Sequence, residues 1–258
     1  MSVGEFAFLV VAGIGAGLTG SIAGLASLIS YPALLATGLP PVTANVTNTA
    51  ALVLTGVGSV SASRPELRGQ ARRLLPLAVA AVLGGVAGAV LLLLTPSGAF
   101  ERIVPFLIGG ASLAILVQRP PRELAAEAAV AHAGRPHRDP WWLPFVIFAI
   151  SIYGGYFGAA AGVLMLATFL LTTGEPLPRS NAMRNVILGV ANTVAAVGFV
   201  LYASIAWSAA LPLAIGLFLG SLLGPRIVRR APQTALRRII ALAGLALAVH
   251  LAIQAFSG

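Results

Sequence analysis

Residues 141–173, WWLPFVIFAISIYGGYFGAAAGVLMLATFLLTT, make a 33-residue run without a charge, and how that run meets a membrane decides the fold. An apolar helix crosses the ~30 Å hydrocarbon core with about 20 residues. The run is longer than that, and Gly154, Gly155, Gly158 and Gly162 interrupt its middle. Two half-helices of about 15 residues reach only about 22 Å each at 1.5 Å per residue, so a chain broken there returns to the face it entered.

The rest of the chain belongs to the same solvent. Only 9% of the 258 residues are charged, 58% are hydrophobic and the mean hydropathy is +0.96, whereas soluble domains carry about 25% charged residues. Further uncharged stretches cover residues 6–63, 74–100, 185–225 and 239–258. All sixteen basic residues are arginines, and they sit mainly in short connectors, so the formal charge of +9 reads as membrane orientation and not as a nucleic-acid surface. The absence of cysteine excludes disulfides, thiolate metal ligands and thiol redox chemistry. Glu5 without any basic neighbour does not resemble the n-region of a cleaved signal peptide, so the N-terminus reads as mature sequence.

Eight apolar segments follow: residues 4–36, 43–62, 74–94 and 99–117, then 141–173, 181–202, 207–224 and 237–256. If each crosses once, Arg64, Arg68, Arg72, Arg73, Arg119, Arg122, Arg135 and Arg138 lie on one side and the other eight arginines opposite, against the rule that cytoplasmic loops collect basic residues. If residues 141–173 re-enter, everything beyond inverts and only Arg102 stays outside. The arginines favour the hairpin.

Two distant blocks share one plan, GSIAGLASLISYPALLATGLPPVTANVTNTA at residues 20–50 and GAAAGVLMLATFLLTTGEPLPRSNAMRNVI at 158–187. Gly20 and Gly24 map onto Gly158 and Gly162 at an offset of 138, while Leu35, Thr37, Gly38, Pro40 and Asn45 map onto Leu171, Thr173, Gly174, Pro176 and Asn181 at 136. The expected fold is an all-α integral membrane protein of two inverted four-segment repeats, each a Gly-rich broken or re-entrant helical hairpin plus three transmembrane helices. Residues 1–118 and 141–258 form the repeats and 119–140 a cytoplasmic connector. Irregular backbone at the hairpin tips is tolerated only beside protein or a water-filled cavity, so both tips should meet in the middle.

After each hairpin a helix begins with polar residues at i, i+3 and i+4: Asn45, Asn48 and Thr49, then Asn181, Arg184 and Asn185, with Asn192 three turns further on. Intramembrane polar side chains usually face a bundle interior or cavity, although interhelical bonding or capping near Thr43 and Ser180 is the plainer role. Arg184 offers a permanently charged fork suited to an oxyanion, or else marks the cytoplasmic end of a helix. Gly17, Gly20, Gly24, Gly154, Gly155, Gly158 and Gly162, with Ser21, are candidates for hairpin turns whose amides greet an anion, and four-residue glycine spacing is also a packing signal. Tyr31, Pro32, Tyr153 and Tyr156 line the path or pack beside it. Trp141, Trp142 and Trp207 read as interfacial anchors, and His250 as a packed or lipid-edge residue. The string at Gly15, Gly17 and Gly20 matches G-x-G-x-x-G, but no acid lies between Glu5 and Glu66, so it is no dinucleotide site.

Absences narrow the function further. No Asp or Glu lies well inside an apolar segment, which disfavours a proton relay. No metal cluster, Walker loop or nucleophile with a base is evident, so neither an enzyme nor a cofactor is expected. Export of an anion needs none of these, because each negative charge leaving a cell gains about 2.3 kcal/mol per 100 mV.

The paired Gly-rich segments followed by LPPVTANVTNTAAL and LPRSNAMRNVILGVAN resemble the TauE/SafE family of sulfite and organosulfonate exporters over nearly the whole chain. The resemblance implies a multi-pass transporter of small sulfur oxyanions in the bacterial cytoplasmic membrane, with the two Asn-bearing motifs near the path. Related thiosulfate importers depend on pore cysteines, which this chain lacks. Expected partners are the anion, the lipid bilayer and, as one possibility, a second copy in a homodimer. Ion-coupled import of a sulfur or carboxylate anion, and a non-transporting membrane scaffold, are the alternatives.

Overall fold

The computed structural model describes residues 1–131, 139–227 and 233–256. Arg135, Arg138, Arg229 and Arg230 of the orientation count, and residues 132–138 of the connector, lie outside the described residues. Among the described residues every regular element is a helix: α1 (Val3–Ala23), α2 (Ser27–Ala36), α3 (Pro41–Ala62), α4 (Arg64–Leu67), α5 (Ala71–Leu94), α6 (Ser97–Val117), α7 (Pro121–Ala131), α8 (Leu143–Tyr156), α9 (Ala161–Thr173), α10 (Leu177–Tyr202), α11 (Trp207–Ile227) and α12 (Gln233–Phe256).

Local chemistry sets their ends. Ser2 and Glu5 close a reciprocal capping box on α1, with bonds of 2.6 and 3.1 Å. Pro40 and Pro176 occupy matching positions before α3 and α10, where a missing N–H costs nothing. The two breaks fall at glycines in the left-handed region: Gly24 (φ 76°) ends α1 and Gly158 (φ 79°) follows α8. Ala26 and Ala160 then open α2 and α9. The turns thus pair Gly24 with Gly158, 134 residues apart, which corrects the register of 138 taken from glycine matching. Gly17 and Gly20 are spent on packing: a Cβ on Gly17 would lie 2.3 Å from the Leu217 carbonyl oxygen, and one on Gly20 2.7 Å from the Ala26 Cβ.

Because its first break comes late, α1 has 21 residues and is long enough to cross a membrane, whereas α2 has 10. This corrects the expectation of two arms of about 15 residues there. Among the described residues the shorter apolar helices are α2, α8 and α9, and of these α8 and α9, at 14 and 13 residues, come near the expected arm length. Six helices among the described residues, α1, α5, α6, α10, α11 and α12, are long and apolar enough to span. The 22-residue α3 is not among them, since Asn45, Thr47, Asn48, Thr49 and Thr55 dilute its apolar content. Outward-facing Leu75, Phe106, Leu201, Leu242 and Ile253 are exposed in the chain by itself, as a lipid-facing belt is.

Packing follows one exchange rule. The helix α1 packs on α11 and α8 on α5, α3 also meets α11 and α10 also meets α5, while α3 crosses α10 and α6 lies against α12. Swapping the two halves leaves this pattern unchanged. Small residues make the approaches possible, with Gly13, Gly17, Gly216 and Gly220 between α1 and α11 and Gly84, Gly88 and Gly155 between α5 and α8.

Polar contacts fix the directions. Arg73, in the first turn of α5, donates to Asp139 ahead of α8 (2.5 and 2.6 Å) and to Glu175 just past α9 (2.5 Å). One guanidinium therefore gathers the entrance of α8 and the exit of α9 on a single face. Thr47, near the start of α3, accepts from the Ala206 N–H beyond the end of α10 (3.1 Å), while α4 at the far end of α3 packs on α10, so these two run antiparallel. So do α6 and α12, since Arg237 near the start of α12 donates to the Ile115 and Gln118 carbonyls at the end of α6 (3.2 and 3.3 Å). Within the connector, α7 lays Leu124 against Leu166 and Leu170 of α9.

Candidate functional site

The two breaks abut. A Cβ on Gly24 would come within 2.5 Å of the Gly162 carbonyl carbon and 2.7 Å of Arg184 Nη1, so only glycine allows the tips to touch. Ending α1 and α8 inside the bundle exposes carbonyls that no further helical turn can satisfy. Each half covers those of the other. Asn45 on α3 donates Nδ2 to the Tyr156 carbonyl (2.9 Å), and Asn181 on α10 donates Nδ2 to the Ser21 carbonyl (2.9 Å). Arg184, fully buried, adds Nη2 to the Ser21 carbonyl (3.1 Å) and to the Gly20 carbonyl (3.0 Å), which also accepts from the Gly24 N–H (2.8 Å).

The same Nη2 donates to Asn185 Oδ1 (2.6 Å), leaving Asn185 Nδ2 buried without a hydrogen-bond partner among the described residues. Asn185 is one of the residues that line a cavity of about 40 Å³ between the tips and the α3–α10 crossing. Since one water needs about 10–15 Å³ on this measure, the space suits a small ion. Gly20, Gly24, Ser27, Thr49, Thr55, Ser59, Gly158, Asn185 and Asn192 contribute to its wall, with Leu52, Phe157 and Leu188 as apolar neighbours. Thr55 Oγ1 and Ser59 Oγ are also buried and unpartnered. No acidic side chain takes part in the lining, and the described residues hold no cluster fit to bind a metal.

Of the residues singled out in the sequence, Gly20, Gly24, Thr49, Gly154, Gly158, Asn185 and Asn192 thus come together around the cavity. Asn45, Asn181 and Arg184 stand behind it as covers for carbonyls, and Gly162 abuts Gly24. Asn48 is engaged within its own half, accepting from Ser30 Oγ (2.5 Å) and donating to Ser27 Oγ (3.3 Å). Ser21 bonds the Leu18 carbonyl, Tyr31 packs edge-on against Phe157, and Tyr156 does so against Phe100. Ser27, Thr55 and Ser59 were missed. A signal existed for the last: the eleven-residue step that joins Asn181 to Asn192 also joins Asn48 to Ser59.

Spanning helices that enclose a polar cavity at the meeting point of two broken helices define a multi-pass membrane transporter. The chain belongs to the TauE/SafE family: the family model described as Sulfite exporter TauE/SafE matches residues 9–251. It is similar to the probable membrane transporter protein ORF9 of Sinorhizobium sp., at 28% identity over 95% of this chain and 91% of that protein. The probable membrane transporter protein YfcA of Escherichia coli K12 is 28% identical over 92% of this chain and 85% of its own length. A probable membrane transporter protein of Haemophilus influenzae is also 28% identical, over 91% of this chain and 89% of that protein. No solved structure matches the chain.

Proposed function

We propose that the protein exports a small sulfur-containing anion, sulfite or an organosulfonate, across the cytoplasmic membrane through the cavity between the tips. The observation that carries this reading is the sorting of polarity there. The Thr55 and Ser59 hydroxyls and the Asn185 Nδ2 amide are buried, unpartnered among the described residues and able to donate, the carbonyls of Gly20, Ser21 and Tyr156 are covered, and no carboxylate lines the cavity. Such a lining solvates an anion and disfavours a cation. Two inverted repeats deliver it, and the antiparallel courses of α3 with α10 and α6 with α12 support that assignment. The face gathered by Arg73 is the cytoplasmic one, since it bears most of the arginines.

The test is flux in proteoliposomes loaded with labelled sulfite or ethanesulfonate. Voltage alone, negative inside, should drive efflux in wild-type protein, and Thr55→Val with Ser59→Ala should lower it by about ten-fold or more without loss of stability, because orphan donors are removed with their shape kept. A flux that needs a sodium or proton gradient would support the import reading instead, and undiminished flux in the double variant would displace the site.

A further inference from the structure

We infer that the site selects singly charged anions over doubly charged ones, and that Arg184 sets this valence. The inference rests on the transport reading above and concerns the electrical balance at the tips. Four helix ends converge there, the C-termini of α1 and α8 and the N-termini of α2 and α9. Their partial charges, about half a unit each and of opposite sign, offset one another. What remains is one full positive charge. Arg184 has no exposed surface, its Nη2 is shared among neutral acceptors, and its Nε and Nη1 have no partner among the described residues.

Among the described residues no acid pairs with it. The acids that form ion pairs among the described residues, Asp139, Glu175 and Glu127, pair with Arg73, Arg179 and Arg119. Nor does the other half supply a second cation: at the repeat offset of 136 the counterpart of Arg184 is Asn48, whose amide is engaged by Ser27 and Ser30. Arg184 Nη1 lies beside Gly24, which lines the cavity, and Asn185, turned by Arg184, lines it too. A monoanion in the cavity brings the centre of the bundle to neutrality. A dianion leaves one uncompensated charge in a small space flanked by Leu52, Phe157 and Leu188, which is costly far from water.

The experiment uses proteoliposomes of the whole chain, labelled methanesulfonate, and two tetrahedral competitors of nearly equal size, perchlorate with one charge and sulfate with two. Wild-type flux should be inhibited by perchlorate at concentrations about ten-fold or more below those needed for sulfate. Perchlorate also sheds water more easily, so Arg184→Gln is the control: the preference should shrink to about three-fold or less, and the neutral isostere dimethyl sulfone should compete where it did not before. Arg184→Lys, which keeps the charge and loses the fork, should retain the monoanion preference; if Arg184→Gln does not fold, loss of the preference in Arg184→Lys refutes the charge argument. Sulfate competing as well as perchlorate in wild type, or a preference unchanged in Arg184→Gln, overturns the inference. Absence of methanesulfonate flux, with no thermal stabilisation by any of these anions, would instead bring down the transport reading itself.

Discussion

Replacing Gly24 with alanine tests whether the two tips touch. The backbone there has φ 76°, a left-handed conformation that costs an L-residue about 1–2 kcal/mol. The new Cβ would sit 2.5 Å from the Gly162 carbonyl carbon and 2.8 Å from its Cα, an overpacking that costs about 1–3 kcal/mol. Together these predict a loss of about 2–5 kcal/mol. Two companions separate the terms. Gly38 has φ 82° and nothing within 4 Å of its Cβ position, so Gly38→Ala should lose only about 1–2 kcal/mol from the backbone. Gly162 is helical, and its Cβ would lie 2.8 Å from Gly24 Cα, so Gly162→Ala should cost about 0–2 kcal/mol once the helix preference for alanine is subtracted. Reversible unfolding in mixed detergent micelles reads the three values. The Gly24 and Gly162 changes should also be non-additive, because separating the tips once relieves both clashes. Gly24→Ala no worse than Gly38→Ala, with additive effects in the double variant, would refute contact between the tips.

Ala160 holds φ 64° without being glycine, so Ala160→Gly should stabilise the protein by about 1 kcal/mol in the same unfolding assay. Arg73→Ala leaves Asp139 without its bidentate partner and Glu175 with only Arg179, and should destabilise by about 1–3 kcal/mol. Arg73→Lys should recover less than half of that, since one ammonium cannot match the fork; full recovery would mean that charge alone matters. Asn45→Ala should cost about 1–3 kcal/mol by orphaning the Tyr156 carbonyl. Asn181→Ala should cost less, because the Ser21 carbonyl keeps Arg184 as donor, and equal losses would contradict this account.

Much of the fold is legible because lipid leaves few options. Charge-free stretches mark the helices, and the glycine clusters mark where two of them break. The position of the break within a cluster is less legible. Gly17, Gly20 and Gly24 look alike in sequence, yet two serve close packing and only the third turns the chain. That distinction depends on Leu217 and Ala26, which no local pattern brings near. The polar stripes on α3 and α10 point inward as their spacing implies, but residue type alone does not say which members face the cavity and which cover a carbonyl. Thr55 and Ser59 escape notice for a further reason. Hydroxyls inside helices commonly bond the carbonyl one turn back, as Thr49 does to Asn45 (3.0 Å) and Thr193 to Gly189 (2.7 Å). Only packing shows that these two do not.

A helix broken inside a membrane offers a ligand both of its ends: carbonyls that suit a cation and N–H groups that suit an anion. The polar residues after each break decide which end remains available. Asn45, Asn181 and Arg184 are donors aimed at the carbonyls of Tyr156, Ser21 and Gly20, so the ends that would attract a cation are occupied from the opposite half. Asn45 and Asn181, whose Oδ1 atoms this leaves over, are not among the residues that line the cavity, whereas Asn185, Thr55 and Ser59 are. The same cross-bracing that makes the breaks tolerable in lipid therefore keeps these carbonyls engaged and away from a ligand. On the proposed reading, anion preference and the stability of the broken helices arise from one set of hydrogen bonds. A variant that reverses the polarity of the lining, such as Asn185→Asp, should lose anion flux by far more than it loses folded protein; flux at the wild-type level would separate the two roles.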